Sequence, residues 1–202
     1  IGSGEISNIP FLRKIGIKRL PIILSTGMAT LGEIERAVYE LEHVGSGDIT
    51  LMHCTSSYPC PFNEVNLRAM HTISEAFGYK VGYSDHTQGI IVPIAAVALG
   101  AVAIEKHFTL DKKLPGPDHL ASIEPNELRL MIESIRNIEV ALGDGKKRPS
   151  QSEKATKEAV RRSIVAACPI KKGTIFSYDN ITTKRTGQKG LPSEMWDYVI
   201  GR

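Results

Sequence analysis

Val81–Thr87 reads VGYSDHT, Ala101–Thr109 reads AVAIEKHFT, and Gly89–Gly100 between them reads GIIVPIAAVALG. Each flank is a short apolar run that ends in a histidine, His86 or His107, close behind an acidic residue. The apolar stretch between them is long enough for one covering helix, so the unit reads strand–helix–strand in a parallel sheet. Parallel strands joined through a helix finish on the same edge, and that C-terminal edge is where β/α active sites form. Two neutral imidazoles converging there suit a divalent metal with positions left open for substrate. The plainer alternative makes His86 a loop residue and His107 a hydrogen-bonded core residue.

Working outward, the same alternation continues on both sides. Pro21–Ser25 (PIILS) reads as a buried strand, and Thr30 with Glu33 forms a capping-box pattern before the stripe Leu31, Ile34, Ala37, Val38, Leu41. Ile49–Cys54 is the next strand, followed by a helix through Leu67, Met70, Ile73 and Phe77. Pro125 suits a first helical turn, and Leu128, Met131, Ile132, Ile135 and Leu142 make a last amphipathic stripe. These four β/α units are about half of the roughly 250 residues of a closed eightfold barrel. An open doubly wound sheet could be built from the same units. Ile1 falls inside what looks like a motif, so an N-terminal part of the barrel is expected to precede it.

After Gly143 the texture changes. Residues 144–160 are polar and basic and read as a linker, whereas 161–202 contain short β-like runs broken by Lys171-Lys172-Gly173 and Asp179-Asn180. The expected organisation is therefore a β/α part over 1–143, a linker over 144–160 and a small, mostly β module over 161–202. With so few residues that module has a meagre core.

Composition narrows the class. The chain has 202 residues, 42% hydrophobic and 23% charged, with a net charge of +3, which fits a globular protein and gives no electrostatic footprint for nucleic acid. Cys54, Cys60 and Cys168 show no metal spacing, and a reduced cytoplasmic setting is the simplest expectation. No run reaches the roughly 18 apolar residues of a membrane span. Dinucleotide, P-loop and nucleophile-elbow motifs are absent from the sequence.

Each expected strand ends in small polar residues: Ser25-Thr26-Gly27, Thr55-Ser56-Ser57-Tyr58, Ser84-Asp85-His86-Thr87 and Lys106-His107. Gly2-Ser3-Gly4-Glu5 looks like the end of one more strand. Hydroxyls and backbone N–H groups gathered on one rim can hold phosphate or carboxylate. Single Ser or Thr residues more often serve as caps or turns; five clusters in register with five strands are harder to assign that way. Glu105 shares strand parity with His107 and is expected to point into the barrel, where it could orient a ligand or water. Asp85 and Lys106 have the opposite parity, and structural roles suit them better. Asp118 and His119, in the rigid loop Leu114–His119, could reach over the rim.

Taken together, IGSGEISN (1–8), ILSTGMAT (23–30), LMHCTSSYPCPFNEVNLRAM (51–70), VGYSDHT (81–87), AIEKHFTLDK (103–112), GPDHLASIEP (116–125) and ITTKR (181–185) resemble the sialic acid synthases, including their legionaminate- and pseudaminate-type relatives. The resemblance implies the second half of a phosphoenolpyruvate-binding TIM (β/α)8 barrel, followed by a linker and a small antifreeze-like (SAF) β domain. It implies condensation of phosphoenolpyruvate with an N-acylated mannosamine-type sugar to a nine-carbon 2-keto acid, with release of phosphate. It places a divalent ion, Mn2+ first and Mg2+ or Co2+ next, on His86 and His107. It makes Ser3, Ser25, Ser56 and Ser84 contacts to phosphoenolpyruvate, and Tyr58 and Asp118 contacts to the sugar, with Glu5 on the same rim. Arg185 resembles the arginine that the SAF domain inserts into the partner subunit's site in a domain-swapped homodimer. Two departures bear on the acceptor sugar: Ser56 stands where some neuraminate synthases carry asparagine, and Lys184–Gly190 lacks the family's proline. Two other readings stay open beside this one: a Schiff-base barrel aldolase, for which Lys106 has the wrong parity, and a non-catalytic carbohydrate-binding protein built on the terminal module.

Overall fold

Alternate residues of four short strands decide which side of the sheet is buried. In the computed structural model, which describes residues 1–187 and 189–202, these strands are β1 (Ile22–Ser25), β2 (Ile49–Cys54), β3 (Lys80–Asp85) and β4 (Ile104–Lys106). They pair in parallel in the order β1-β2-β3-β4. Ile22, Leu24, Ile49, Leu51, Val81 and Tyr83 share one face and are each no more than 5% exposed. That face packs on α1 (Ile9–Gly16) through Leu12 and on α2 (Leu31–His43) through Ile34, Ala37, Val38 and Leu41. It also meets α3 (Ala69–Phe77) through Met70 and Ile73, and α4 (Ile91–Ala98) through Val92 and Ala96. Burying each large aliphatic side chain stabilises the unit by roughly 1.5–3 kcal/mol relative to leaving it in water. A second cluster, Ile123, Met131 and Ile135, seats α5 (Pro125–Leu142) against Ile90, Ile94 and Val97.

Local chemistry fixes the helix ends. Thr30 Oγ1 accepts the Glu33 amide while Glu33 Oε2 accepts the Thr30 amide at 2.7 Å, the reciprocal cap read from the sequence. The backbone and hydroxyl bonds from Thr30 hold the Glu33 carboxyl below the usual carboxylate range. α3 stops at Gly78, whose φ of 71° is a left-handed cap that a side chain would strain. Sequential parallel strands with helices on one face are half of a TIM barrel. The ladder also extends past β1: the Ile1 amino group donates to the Ile23 carbonyl, and the Ser25 amide donates to the Ile1 carbonyl. Ser3–Glu5, read above as a strand end, is a single 3-10 turn.

Contacts divide the chain into Ile1–Asp144 and Gly145–Arg202. In the second unit α6 (Glu153–Val160) has no buried residue and lies within the stretch read as a linker. Next come β5 (Arg162–Ala166), β6 (Ile181–Arg185), β7 (Leu191–Pro192) and α7 (Trp196–Val199). The strands form an antiparallel sheet in the order β6-β5-β7. Its core is Ile164, Ile181 and Val199, flanked by half-buried Ile170, Phe176, Trp196 and Ile200. Gln188, inside the Lys184–Gly190 stretch discussed above, lies outside the described residues. No helix among the described residues is long and apolar enough to cross a membrane.

Candidate active site

Pairing register places three side chains side by side at the strand ends. Cys54 pairs with Ser84, and Ser84 pairs with Glu105. All three lie on the face opposite the helices, and Ser84 Oγ donates to Glu105 Oε1 at 2.7 Å. Two residues on from Ser84 and Glu105, along the same parity, come His86 and His107. Their ring centroids are 5.3 Å apart with planes at 79°. His86 Nδ1 lies 2.7 Å from the Thr55 carbonyl. A carbonyl only accepts, so the proton sits on Nδ1 and the Nε2 lone pair is left free. The His86 carbonyl in turn accepts the Cys60 amide. Tyr58 covers both rings, 4.2 Å from His86 and 5.5 Å from His107. Desolvation, and then the nearby Cys54 and Asp118, push its phenol up, so it stays a neutral hydrogen-bond donor near neutral pH.

The hydroxyls gather on the other side of the same space. Ser3, Ser25, Ser56, Tyr58, Ser84, Glu105, His86 and His107 line one cavity of about 420 Å³. Gly27 donates its amide to Ser3 Oγ at 3.0 Å, and Ser3 Oγ lies 3.2 Å from Cys54 Sγ. A Cβ on Gly27 would come within 2.3 Å of Ser56 Oγ, 2.7 Å of Ser3 Oγ and 2.8 Å of Cys54 Sγ. The missing side chain thus lets the Ser56 and Ser3 hydroxyls and the Cys54 thiol pack against the Gly27 backbone, at a cavity wall whose hydroxyls can donate to an anionic oxygen. Sequence reasoning did not single out Gly27 and Cys54 as site residues. The signal for Cys54 was its place at the end of a strand beside two others that end in Ser.

Three expected residues lie apart from the cavity lining. Glu5 is exposed, and its carboxylate accepts Asn8 Nδ2 at 2.6 Å. Asp118 is half exposed, with Oδ2 3.8 Å from His107 Nδ1. Arg185 ends β6 in the second unit, exposed and paired in the ladder with Arg162. His119 Nδ1 meets Thr109 Oγ1 at 2.8 Å, within its own loop. His53 is buried on the helix face, where Nε2 donates to the Val65 carbonyl at 2.9 Å. Lys106 points away from the cavity, as its parity requires. Its ammonium is held by Asp85 and the Thr87 carbonyl, which leaves it poorly placed for a Schiff base.

The donor set fits a divalent cation bound by two residues. One imidazole is already fixed in the tautomer that presents Nε2, and the other lies across from it within the same cavity. Among the described residues no group of three or more His, Cys, Asp or Glu is arranged to hold a metal. His86 and His107 would therefore leave the remaining positions to water and substrate.

A parallel β/α sheet with hydroxyls, a carboxylate and two imidazoles converging at its C-terminal edge has the layout of a TIM-barrel rim. Residues 1–147 match the NeuB family and residues 161–202 the SAF domain. The chain belongs to the NeuB family. It is 54% identical to N,N'-diacetyllegionaminic acid synthase of Campylobacter jejuni over 100% of this chain and 61% of that protein. A sialic acid synthetase from Leptospira borgpetersenii, solved with citrate, shares 41% identity over 78% of this chain and 55% of its own, at a TM-score of 0.71. A phospho-2-dehydro-3-deoxyheptonate aldolase of Thermotoga maritima shares the fold alone, at 21% identity over 71% of this chain and 45% of its own, with a TM-score of 0.62. The chain spans about three fifths of the length of the curated relatives it matches.

Proposed function

We propose that the protein is a nonulosonic acid synthase that joins phosphoenolpyruvate to an N-acylated mannosamine-type sugar, releasing phosphate. The observation that carries this reading is that serine hydroxyls and an imidazole pair line one cavity. One reactant is an enol ester with two anionic groups, a phosphate and a carboxylate, and the other an aldehyde, so a cavity lined by both hydroxyls and imidazoles suits them.

The chain's own groups divide the work. Ser3, Ser25 and Ser56 hold phosphate and carboxylate oxygens by hydrogen bonds and fix the enol carbon's position, with the Gly27 amide orienting the Ser3 hydroxyl. Glu105, gripped by Ser84, orients the water that the overall reaction consumes and receives its proton. Tyr58 and Asp118 bind hydroxyls of the open-chain sugar. A divalent cation on His86 and His107, Mn2+ first and Mg2+ or Co2+ as alternatives, would supply a Lewis acid for the aldehyde oxygen. The balance is plain: the terminal enol carbon bonds to the aldehyde carbon, water adds to the carbon that bears the phosphate oxygen, and the C–O bond to phosphate breaks. In this reading Arg185 meets the acyl group across a domain-swapped homodimer, and the protein works in the cytoplasm.

The test is phosphate release by the full chain with phosphoenolpyruvate and a panel of acceptors, with and without chelator. The names of the relatives make both N-acetylmannosamine and a 2,4-diacetamido sugar required arms of the panel. Phosphate release that needs an acceptor and a divalent cation supports the reading. Sugar binding without phosphate release, unaffected by replacing both histidines, would favour a carbohydrate-binding protein instead.

A further inference from the structure

At the end of the β3–β4 ladder, two cross-strand pairs lie on opposite faces of the sheet. Ser84–Glu105 faces the cavity; Asp85–Lys106, the next pair in register, faces the helices. The second pair is almost completely enclosed, with side chains 0% and 3% exposed, and Lys106 Nζ lies 2.6 Å from Asp85 Oδ2. The same ammonium donates to the Thr87 carbonyl. Asp85 Oδ1 accepts the Thr87 amide at 3.0 Å and the Thr87 hydroxyl at 2.9 Å. Residues 85–87 are therefore wrapped around one carboxylate, with His86 at the apex. The lysine that closes the wrap is the residue directly before His107.

We propose that Asp85, Lys106 and Thr87 form a clamp whose task is to set the spacing of the His86 and His107 imidazoles, acting as positioning residues. An enclosed ion pair is weak evidence for stability, because desolvation offsets most of its attraction. Its value lies in direction: an ammonium tied to two acceptors on the β3 loop gives β4 one register and one height relative to that loop. His86 is braced further by hydrogen bonds to Thr55 and Cys60, whereas the side chain of His107 meets the rings of Tyr58 and His86 and the long approach of half-exposed Asp118. His107 is thus the imidazole whose position depends most on its neighbour in the chain.

The clamp deepens the functional reading above, which needs both imidazoles on one cation, and its test separates the two ideas. Asp85→Asn/Lys106→Met removes both charges together, keeps an acceptor for the Thr87 amide and cuts the link between strands. In the metal-free full chain, the clamp predicts loss of the nuclear Overhauser contact between the His86 and His107 rings, with the thermal midpoint near that of the parent. Titration with Mn2+ should then show affinity lower by about 10–100-fold, the usual cost of removing support behind a metal ligand. Thr87→Val leaves the charges paired and should lower affinity about threefold; it serves as the test if the double variant does not fold. Lys106→Arg, which can still bridge both acceptors, should restore most of the ring contact. A folded double variant, or a Thr87→Val protein, with unchanged ring contact and unchanged Mn2+ affinity would overturn the clamp. Loss of ring contact in a protein whose parent binds no Mn2+ would leave the clamp standing and remove the metal from the proposed function.

Discussion

The parallel sheet of the first unit and the antiparallel sheet of the second differ in what their buried positions do. In the first, one face supplies a core of aliphatic side chains against several helices, and the C-terminal edge carries buried Ser25, Thr26, Ser84, Asp85, His86 and Thr87. In the second, three buried apolar residues hold the sheet and its flanking helix together. Buried polar groups cost free energy unless they are hydrogen-bonded and rigidly held. A one-sided aliphatic core provides that rigidity at the strand ends, which is where precise geometry matters. The lesson is that the chemistry sits where the scaffold has surplus stability.

The largest effect should come from separating the two roles of that edge. His107→Ala is expected to lower metal-dependent phosphate release by on the order of 10³-fold, the scale of losing a group that stabilises developing charge. Its side chain is one-third exposed, so the thermal midpoint should move little. A large drop in midpoint with modest loss of turnover would mean that the histidine is part of the scaffold.

Core deletions sharpen the contrast from the other side. Leu51 is 0% exposed at the centre of the first sheet, and Leu51→Ala should cost about 2–5 kcal/mol in a denaturant titration. The same kind of truncation at Ile181 removes one of the three buried apolar side chains among the described residues of the second unit. Amide exchange should then accelerate across Arg162–Arg185 while β1 to β4 keep their protection. Equal loss of protection in both sheets would show that the second unit draws its stability from elsewhere.

Gly27→Ala probes the site without touching either core. The added methyl carbon would overlap the Ser56 and Ser3 hydroxyls and the Cys54 thiol. The expected outcome is a KM for phosphoenolpyruvate higher by roughly 10–100-fold, about 1.4–2.7 kcal/mol, with kcat far less affected. An unchanged KM would place the anion elsewhere in the cavity.

How far the sequence announced all this can be judged from particular residues. Period-two and helical patterns identified the four β/α units, because buried faces must repeat at the spacing of the element. Parity also told Glu105 from Lys106, since neighbouring residues on a strand point to opposite faces. Sequence analysis missed features that depend on offsets between strands: that Cys54, Ser84 and Glu105 share a rung, and that Lys106 meets Asp85. The β4 strand proved shorter than Ala101–His107. Gly100 takes φ 98°, and the Ala101 amide bonds back to Ala96, so the first residues after α4 belong to its exit turn. β7 is two residues long, below any detectable period. The helix in 144–160 has no buried face to mark it.

The smallest expected effect is a pH dependence, and it arises on the helix face of the sheet that also carries the site. Burial lowers the pKa of His53 below the ordinary imidazole value of 6.5, against the pull of hydrogen bonds to the Val65 and Asn66 carbonyls. The folded state therefore keeps this ring neutral at a pH where the unfolded chain takes up a proton. Where the unfolded state binds more protons, stability rises with pH. The His53 contribution is thus fully present above about pH 6.5, the unfolded value, and is lost as pH falls from there through the lower folded value. Between about pH 6.5 and 5 the loss should be seen as a fall in thermal midpoint. The comparison needed is with His53→Gln, which can still donate to the Val65 carbonyl. That variant should flatten the slope attributable to His53. An unchanged slope in His53→Gln would place the pH-sensitive group elsewhere in the protein.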